Sequence, residues 1–472
     1  MKTKNLMRQK QKHDRLILLF ILSLALLLRL ISLNQSFWLD EAISAKVARF
    51  SLTQIFDFLS GDFNPPVYYL FISFWQNLFR VSEISLRMPS VIFALLTIII
   101  TFKIGQTWLN SHAKLAALML ATSPLHIYYS QEARAYALTA LLFTALVWLF
   151  LISLKNKKYW WWFSLICLLS VFSHYQIWLA LPVFPLVLFW GSKEKRSPEK
   201  KWLYLGLSFL PILITLIFYW PILSSQLSVG NQINSSWKQV IGTLTIKNIG
   251  LIAVKFVIGR INLNNQFLYF ATGFLLVFFY WGLAILGTIK SLAKQNWQFF
   301  LPTIFFLPLF LGIIISLRVP LLSYFRFLFL LPFFYLLITR GILVIKNNRL
   351  KKIIFCLIII INLTCSFVYL TKDRFQRENW RLAVSLLKRT APDVPVFIHP
   401  KINSAFNYYN RQQLTIVAPE DFGYHQKINL ISYGLPIFDP EDKIRERLTA
   451  SGFKIVWGDS FNQVGIEKWQ KK

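Results

Sequence analysis

Leu16-Ile17-Leu18-Leu19-Phe20-Ile21-Leu22-Ser23-Leu24-Ala25-Leu26-Leu27-Leu28-Arg29-Leu30-Ile31-Ser32-Leu33 follows a basic N-terminus carrying Lys2, Lys4, Arg8, Lys10, Lys12 and Arg15. A secretory signal peptide starts similarly, but its apolar region is usually ~7–15 residues and ends in a small-residue cleavage site. That site is missing, so the run is read as an uncleaved membrane span with its N-terminus in the cytoplasm.

Further apolar runs lie near 87–108, 113–130, 133–153, 159–174, 177–190, 202–221, 266–289, 299–317, 321–344 and 352–370. A spanning helix needs ~20 apolar residues with room for tilt, so the chain is expected to carry about eleven. Basic clusters fall on alternate connections: Lys103 with Lys114, Lys155-Asn156-Lys157-Lys158, Lys193 to Lys201, Lys290 with Lys294, and Lys346 to Lys352. By the positive-inside rule these connections are cytoplasmic, which puts the C-terminal segment outside. The stretch from Leu223 to Gln266 leaves room for an extra helix or a reentrant segment near Ile241 to Ile258.

Composition agrees with a polytopic membrane protein. The chain is 56% hydrophobic, 17% aromatic and 15% charged, with mean hydropathy +0.51, outside the range of soluble domains. The net charge of +31 does not signal nucleic acid, because Lys and Arg sit in short clusters between apolar runs rather than on one face. Cys167, Cys356 and Cys365 all lie inside apolar stretches, which argues against a disulfide framework or a thiolate metal site.

Acids are sparse and one-sided. Before Asp373, Asp14, Glu194 and Glu199 are expected in the cytoplasm, and Asp40, Glu41, Asp57, Asp62, Glu83 and Glu132 on the outer side. None occurs between Glu199 and Asp373, whereas ion-coupled transporters usually place ionisable groups near the bilayer midplane. Polar chemistry gathered at one interface suits an enzyme that meets a lipid headgroup. A transporter or flippase of polyprenyl-linked glycans is the alternative.

Ser36-Phe37-Trp38-Leu39-Asp40-Glu41-Ala42 sets two carboxylates against an aromatic pair just after the first span. The same outer loop, residues 34–86, contains Asn64-Pro65-Pro66, which is read as a turn launching an amphipathic helix on the membrane surface. Pro-Pro is also ordinary loop punctuation. Beyond the third span, Tyr128 and Glu132 share a face if the segment is helical. Arg134 suits either an interfacial anchor or a phosphate clamp. No Gly-rich phosphate loop, zincin helix or nucleophile elbow is present, so a nucleotide-sugar donor has no visible site.

Four blocks in order resemble the signatures of GT-C glycosyltransferases. They are Asp40-Glu41, Asn64-Pro65-Pro66-Val67-Tyr68-Tyr69, Leu86-Arg87-Met88-Pro89-Ser90, and Tyr129-Ser130-Gln131-Glu132-Ala133-Arg134-Ala135-Tyr136-Ala137-Leu138. The nearest branch is the bacterial group related to protein O-mannosyltransferases and the lipid A aminoarabinose transferase. Ser173-His174-Tyr175 also resembles a pair found at the outer end of a later span. The resemblance implies sugar transfer, with inversion, from a polyprenyl-phosphate carrier to a lipid, glycan or protein acceptor on the outer side. It makes Asp40 the base, with Glu41 supporting it. Many relatives have His where Asn64 stands, which puts that position's role in doubt.

The leaving lipid phosphate needs cations. Arg134 is the first candidate, then Arg326 and Arg318 beside the turn Val319–Tyr324, Arg318 being read as a topological anchor. Glu132, Tyr128 and His174 join the donor-site candidates, and Asn64, Pro65 and Pro66 position the loop. A divalent cation held by Asp40, Glu41 and Glu132 is left open. The expected domains are 1–370, a multi-span helical membrane domain of GT-C type, and 371–472, a small extracytoplasmic α/β domain. In the latter, strands at 394–398, 414–417, 428–432 and 454–457 alternate with helices near 379–389, 405–410 and 441–450, suggesting a mainly parallel sheet. Tyr408 and Tyr409 there are read as packing residues. The protein is placed in the plasma (inner) membrane.

Overall fold

A computed structural model describes residues 2–191, 198–231, 242–293 and 299–471. The first part of the Lys193 to Lys201 cluster (Lys193 to Ser197), residues 232–241 and Lys294 therefore lie outside the described residues.

Helix α1 (Lys2–Leu30) contains most of the first expected span, 16–33, and extends from it back to Lys2. The outer loop then folds into α2 (Leu39–Val47), α3 (Leu52–Ser60) and α4 (Pro66–Leu78). Pro66 is the first residue of α4, where its missing N–H costs nothing. That helix is two-faced, burying Tyr68, Tyr69 and Ile72 while Phe74 and Leu78 are exposed.

Helices α5 (Glu83–Leu109) and α6 (Ala113–Thr122) form a hairpin that turns at Asn110, whose φ of 52° is left-handed. The expected 113–130 span breaks at Ser123, because Pro124 forbids helical backbone before it, and resumes as α7 (Pro124–Ser130). The bundle continues with α8 (Tyr136–Ser153), α9 (Trp160–Val171), α10 (Val183–Gly191) and α11 (Pro198–Asn231). Next come α12 (Ile246–Ile258), α13 (Gln266–Leu292), α14 (Phe300–Ile315), α15 (Leu331–Val344) and α16 (Asn348–Thr371).

Helix α11 runs ten residues past its expected end at 221, through Pro221. Its extension braces the outer loop: Gln226 Nε2 donates to the carbonyls of Leu59 at 2.8 Å and Asn64 at 3.3 Å. Helix α12 fills the undecided region, but its 13 residues are too short to cross a bilayer. Six helical stretches among the described residues are long and apolar enough to span, Glu83–Thr122, which comprises α5 and α6, being one of them. Tyr175–Trp190 and Phe300–Ile315 are shorter apolar pieces. The chain is a multi-pass integral membrane protein.

Lipid is as apolar as leucine, so spanning helices associate through close packing rather than hydrophobic burial. Gly287 on α13 and Gly341 on α15 show this: a Cβ on either would collide with the backbone of the facing helix. Buried polar contacts add to it, with Asn362 meeting Tyr280 at 3.0 Å and the Met119 carbonyl at 3.1 Å.

The C-terminal unit holds α17 (Trp380–Thr390), β1 (Val396–Phe397), α18 (Ser404–Asn410), β2 (Lys427–Ile431), α19 (Leu435–Phe438), α20 (Lys443–Ala450), β3 (Phe453–Phe461) and β4 (Val464–Lys471). Strand order is β1-β2-β4-β3, with only β1–β2 parallel. The expectation of a mainly parallel sheet is thus corrected. Residues 414–417 contribute a single bridge, Ile416 to Val396, and the added strand β4 pairs antiparallel on both sides. The β3–β4 turn uses Asn462 and Gln463, both left-handed at φ 44° and 76°.

This unit shares its core with the outer loop. Phe37, Leu39, Tyr69 and Ala133 belong to one buried cluster with Trp380, Leu387, Phe406 and Ile431. The unit is therefore packed on the end of the bundle where α2 and the loop 131–135 lie. Helix α8 leads from that loop to Lys155–Lys158, so the basic connection sits at the opposite end.

Candidate active site

Helix α2 begins right after Trp38, whose extended backbone (φ −88°, ψ 175°) stops the helix from starting earlier. Asp40 and Glu41 therefore stand in its first turn, where the helix dipole favours negative charge. Adjacent helical residues face different directions, and these two meet different fates.

Glu41 is fully buried. Arg87 grips it from the first turns of α5, Nε to Oε1 at 2.8 Å and Nη2 to Oε2 at 2.5 Å. Arg377 Nε lies 3.3 Å from Oε2, and the Ala133 N–H donates to Oε1 at 2.8 Å. Burial alone would raise the Glu41 pKa, but the two guanidinium groups and these hydrogen bonds hold it below the usual range. Arg87 also donates to the carbonyls of Leu33, Gln35 and Ser36 at 2.8, 2.7 and 3.0 Å, which ties the end of the first span to the start of α2. Both Glu41 oxygens are committed to these partners, which anchor the first turn of α2.

Asp40 keeps 30% of its side chain exposed and lies 3.5 Å from Arg134 Nη2. Its pKa is raised, first by burial of the site and then by Asp62 and Glu41, with Arg134 pulling the other way. Arg134 also donates to Tyr69 Oη at 3.3 Å and Asn64 Oδ1 at 3.5 Å. Asp62, which the sequence reading left out of the site, completes this network. Its Oδ2 accepts from Asn64 Nδ2 at 2.9 Å and from Tyr69 Oη at 3.2 Å. The turn ahead of Pro65 and Pro66 thus aims Asn64 between Asp62 and Arg134.

A second group lies along the loop 131–135. The Tyr128 ring is flanked by two guanidinium groups, Arg260 at 4.7 Å and Arg377 at 4.4 Å from its centroid. Arg260 donates to Tyr128 Oη at 2.5 Å, its only hydrogen-bond partner among the described residues, yet its side chain is solvent-accessible. Glu132 is buried, with Oε2 3.6 Å from Arg377 Nη2 and no hydrogen bond to that oxygen among the described residues. Burial lifts its pKa to about 7, against the pull of Arg377. Neither Arg260 nor Arg377 was foreseen. Arg260 follows Gly259 (φ 66°) at the end of α12, in the stretch the sequence left undecided.

Arg326 and His174 approach from the other side. Arg326 donates to the Pro320 carbonyl at 3.0 Å, and His174 lies within electrostatic range of both Arg326 and Arg134. The His174 ring stands 5.9 Å from that of Tyr136, and its Nδ1 accepts from the Gln176 N–H at 3.3 Å as an N-cap. Arg318 makes no hydrogen bond through its side chain to any described residue. Tyr409 Oη accepts from the Phe37 N–H and donates to Glu83 Oε1, both at 2.8 Å, a packing role at the domain junction.

The set Asp40, Glu41 and Glu132 does not fit a divalent cation. Glu41 is neutralised by Arg87 and Arg377, and Glu132 faces Arg377. Hard cations need carboxylate oxygens that such partners leave free. Among the described residues no group of three or more His, Cys, Asp or Glu side chains is arranged for metal binding.

Residues 64–220 match the family model of dolichyl-phosphate-mannose-protein mannosyltransferase. No curated protein matches the chain in sequence. The crystal structure of ArnT from Cupriavidus metallidurans bound to undecaprenyl phosphate is similar over 95% of this chain and 97% of that one, with 11% identity and a TM-score of 0.56. The archaeal oligosaccharyltransferase AglB from Archaeoglobus fulgidus, in complex with an inhibitory peptide and a dolichol-phosphate, is similar over 97% of this chain and 74% of that one, with 10% identity and a TM-score of 0.56. The chain thus shares the fold of these membrane proteins, and the family model matches residues 64–220 of it.

Proposed function

We propose that the protein transfers a sugar from a polyprenyl-phosphate carrier to a hydroxyl-bearing acceptor, with inversion at the anomeric carbon. The observation that carries this reading is Asp40: a part-exposed carboxylate of raised pKa, 3.5 Å from Arg134, on a helix locked by Glu41. A base must come within ~2.6–3.2 Å of the proton it removes, and an accessible carboxylate with raised basicity meets that need. As the acceptor oxygen bonds to the anomeric carbon, its proton passes to Asp40 and the bond to the carrier phosphate breaks. The departing phosphate gains charge, which Arg134, Arg260 and Arg326 stabilise as preorganised cations.

The match to a mannosyltransferase model using dolichyl-phosphate-mannose supports a lipid-linked donor, as do the undecaprenyl phosphate in ArnT and the dolichol-phosphate in AglB. The acceptor is a lipid, a glycan or a protein. The basic connections opposite the site support a cytoplasmic N-terminus and an extracytoplasmic C-terminal unit. Nothing favours translocation of polyprenyl-linked glycans: the span-rich stretch from 200 to 372 carries no acid.

The test is transfer from a labelled polyprenyl-phosphate sugar by purified protein, wild type against Asp40→Asn. Formation of a new glycosidic bond by wild type and its loss in the variant are expected. Equal turnover by both removes Asp40 from the chemistry, and lipid translocation without a new bond favours the transporter.

A further inference from the structure

Away from Asp40, the junction between the C-terminal unit and the membrane domain contains two adjoining cavities of about 570 and 800 Å³ that share Tyr408 and Arg411. Their walls are strongly cationic. Arg381, Lys388 and Arg411 line the first and Arg49 joins Arg411 in the second, against one acid, Glu83. Arg381 neutralises that acid at 2.6 Å, leaving three positive groups unmatched. Lys388 Nζ donates to the Tyr409 carbonyl at 2.7 Å, and burial together with Arg411 holds its pKa below the usual lysine range. Arg49 and Arg411 are exposed and form no ion pair among the described residues.

The loop presenting Arg411 is built rather than loose. Arg411 and Gln412 are both left-handed, at φ 49° and 63°, a conformation that residues with a Cβ adopt only when held there. Asn410 holds it: its Nδ2 donates to the Leu414 carbonyl at 2.9 Å, and its Oδ1 accepts from the Leu414 N–H at 2.8 Å.

Position says what kind of anion fits. The first cavity is also lined by Ile84, 46% exposed, in the first turn of α5, which opens a stretch long and apolar enough to cross a membrane. The segment leading into it exposes Leu78 and Phe79, at 62% and 48%. A cationic cavity beside an apolar ledge at the end of a spanning helix matches an amphiphile, with charge in the cavity and chains along the ledge.

We propose that this groove binds the phosphate headgroup of an anionic membrane lipid, at a site separate from the transfer centre, with Arg49, Lys388 and Arg411 on the phosphate and Ile84 beside the acyl chains. Such a lipid bridges the C-terminal unit and the outer loop, because Arg411 and Lys388 belong to the first and Arg49 to the second. The proposal does not depend on the glycosyl-transfer reading.

The test uses the full chain purified in a neutral detergent and titrated with short-chain phosphatidylglycerol, short-chain phosphatidylcholine or glycerol 1-phosphate, with bound ligand counted by native mass spectrometry. Wild type is expected to retain phosphatidylglycerol at least tenfold better than either other probe. Each of Arg49→Ala and Arg411→Ala, on different elements, is expected to weaken it about fivefold, the effect of one basic residue near an anionic surface. Asp40→Asn is expected to bind as wild type. Equal retention of the two lipids, equal binding of glycerol 1-phosphate, or unchanged binding in both arginine variants with melting temperatures intact overturns the proposal.

Discussion

Arg377 Nε lies 3.3 Å from Glu41 Oε2, joining the segment ahead of the C-terminal unit to the buried carboxylate that fixes the Asp40 helix. The same arginine donates to the Gln131 carbonyl at 3.1 Å and covers the Tyr128 ring. Its own carbonyl accepts from Asn462 Nδ2 at 2.7 Å, in the β3–β4 turn. The C-terminal hairpin therefore holds the linker whose side chain reaches the centre of the site.

Removing one partner of a buried ion pair leaves an uncompensated charge and typically costs about 3–5 kcal/mol. Glu41→Gln, which strands Arg87 and Arg377 together, is expected to lose that much stability, as is Arg377→Ala. The double variant is expected to lose less than the two losses added, because Arg377, stranded by Glu41→Gln alone, is then absent and only Arg87 keeps an unmatched charge. Denaturation of the four proteins in one detergent measures this, and strict additivity would show that the two residues are uncoupled.

Asp40→Asn, by contrast, keeps the shape and removes the base. Transfer is expected to fall about 10²–10⁴-fold, with the melting temperature held or slightly raised. The pH dependence follows from the raised pKa. Because the working form is the carboxylate, activity is expected to rise with pH through a midpoint above the ordinary aspartate range. A rate already on its plateau at that ordinary range would contradict the assignment.

Arg134 and Arg260 are expected to act on the leaving phosphate. Losing one preorganised donor to a developing charge typically costs about 10²–10³ in kcat. Arg134→Lys keeps the charge but cannot reach Asp40, Tyr69 and Asn64 together, so it is expected to recover only part of the loss seen for Arg134→Ala. Arg260→Ala is expected to lower transfer while leaving α12 folded, since its one hydrogen bond among the described residues is to Tyr128 Oη. Steady-state kinetics with a polyprenyl-phosphate sugar as donor distinguishes these outcomes from a change in donor KM alone.

Much of the bundle was legible because hydropathy and charge act locally: a run of apolar residues needs lipid whatever its neighbours do. Asp40 and Arg134 stood out for the same reason, as charges beside oily spans. What could not be read was pairing over distance. Glu41 is adjacent to Asp40 in the chain, yet Arg87, 46 residues on, decides its fate. Arg377 sits beyond the last span, among other basic residues, and no local signal sets it apart. The antiparallel sheet was hidden in a turn of Asn462 and Gln463, where the strong hairpin signal is Asn-Gly. Arg87 did carry a signal, a lone arginine in the opening turns of a span where no lipid-facing role suits it.

Glu132 offers a test that needs no substrate. Burial lifts its pKa from 4.5 to about 7, with Arg377 opposing and Glu41 adding to the rise. A carboxyl whose pKa is higher folded than unfolded keeps a proton that the unfolded chain has already released. Its contribution is therefore fully present below pH 4.5 and is lost as pH climbs through about 7. The amount is roughly 3 kcal/mol. Glu132→Gln mimics the protonated form at every pH. The wild type is thus expected to match the variant in melting temperature near pH 4.5 and to fall progressively below it towards pH 7.5. A gap between the two proteins that stays constant across that window would mean that Glu132 is ionised throughout, its charge held by Arg377.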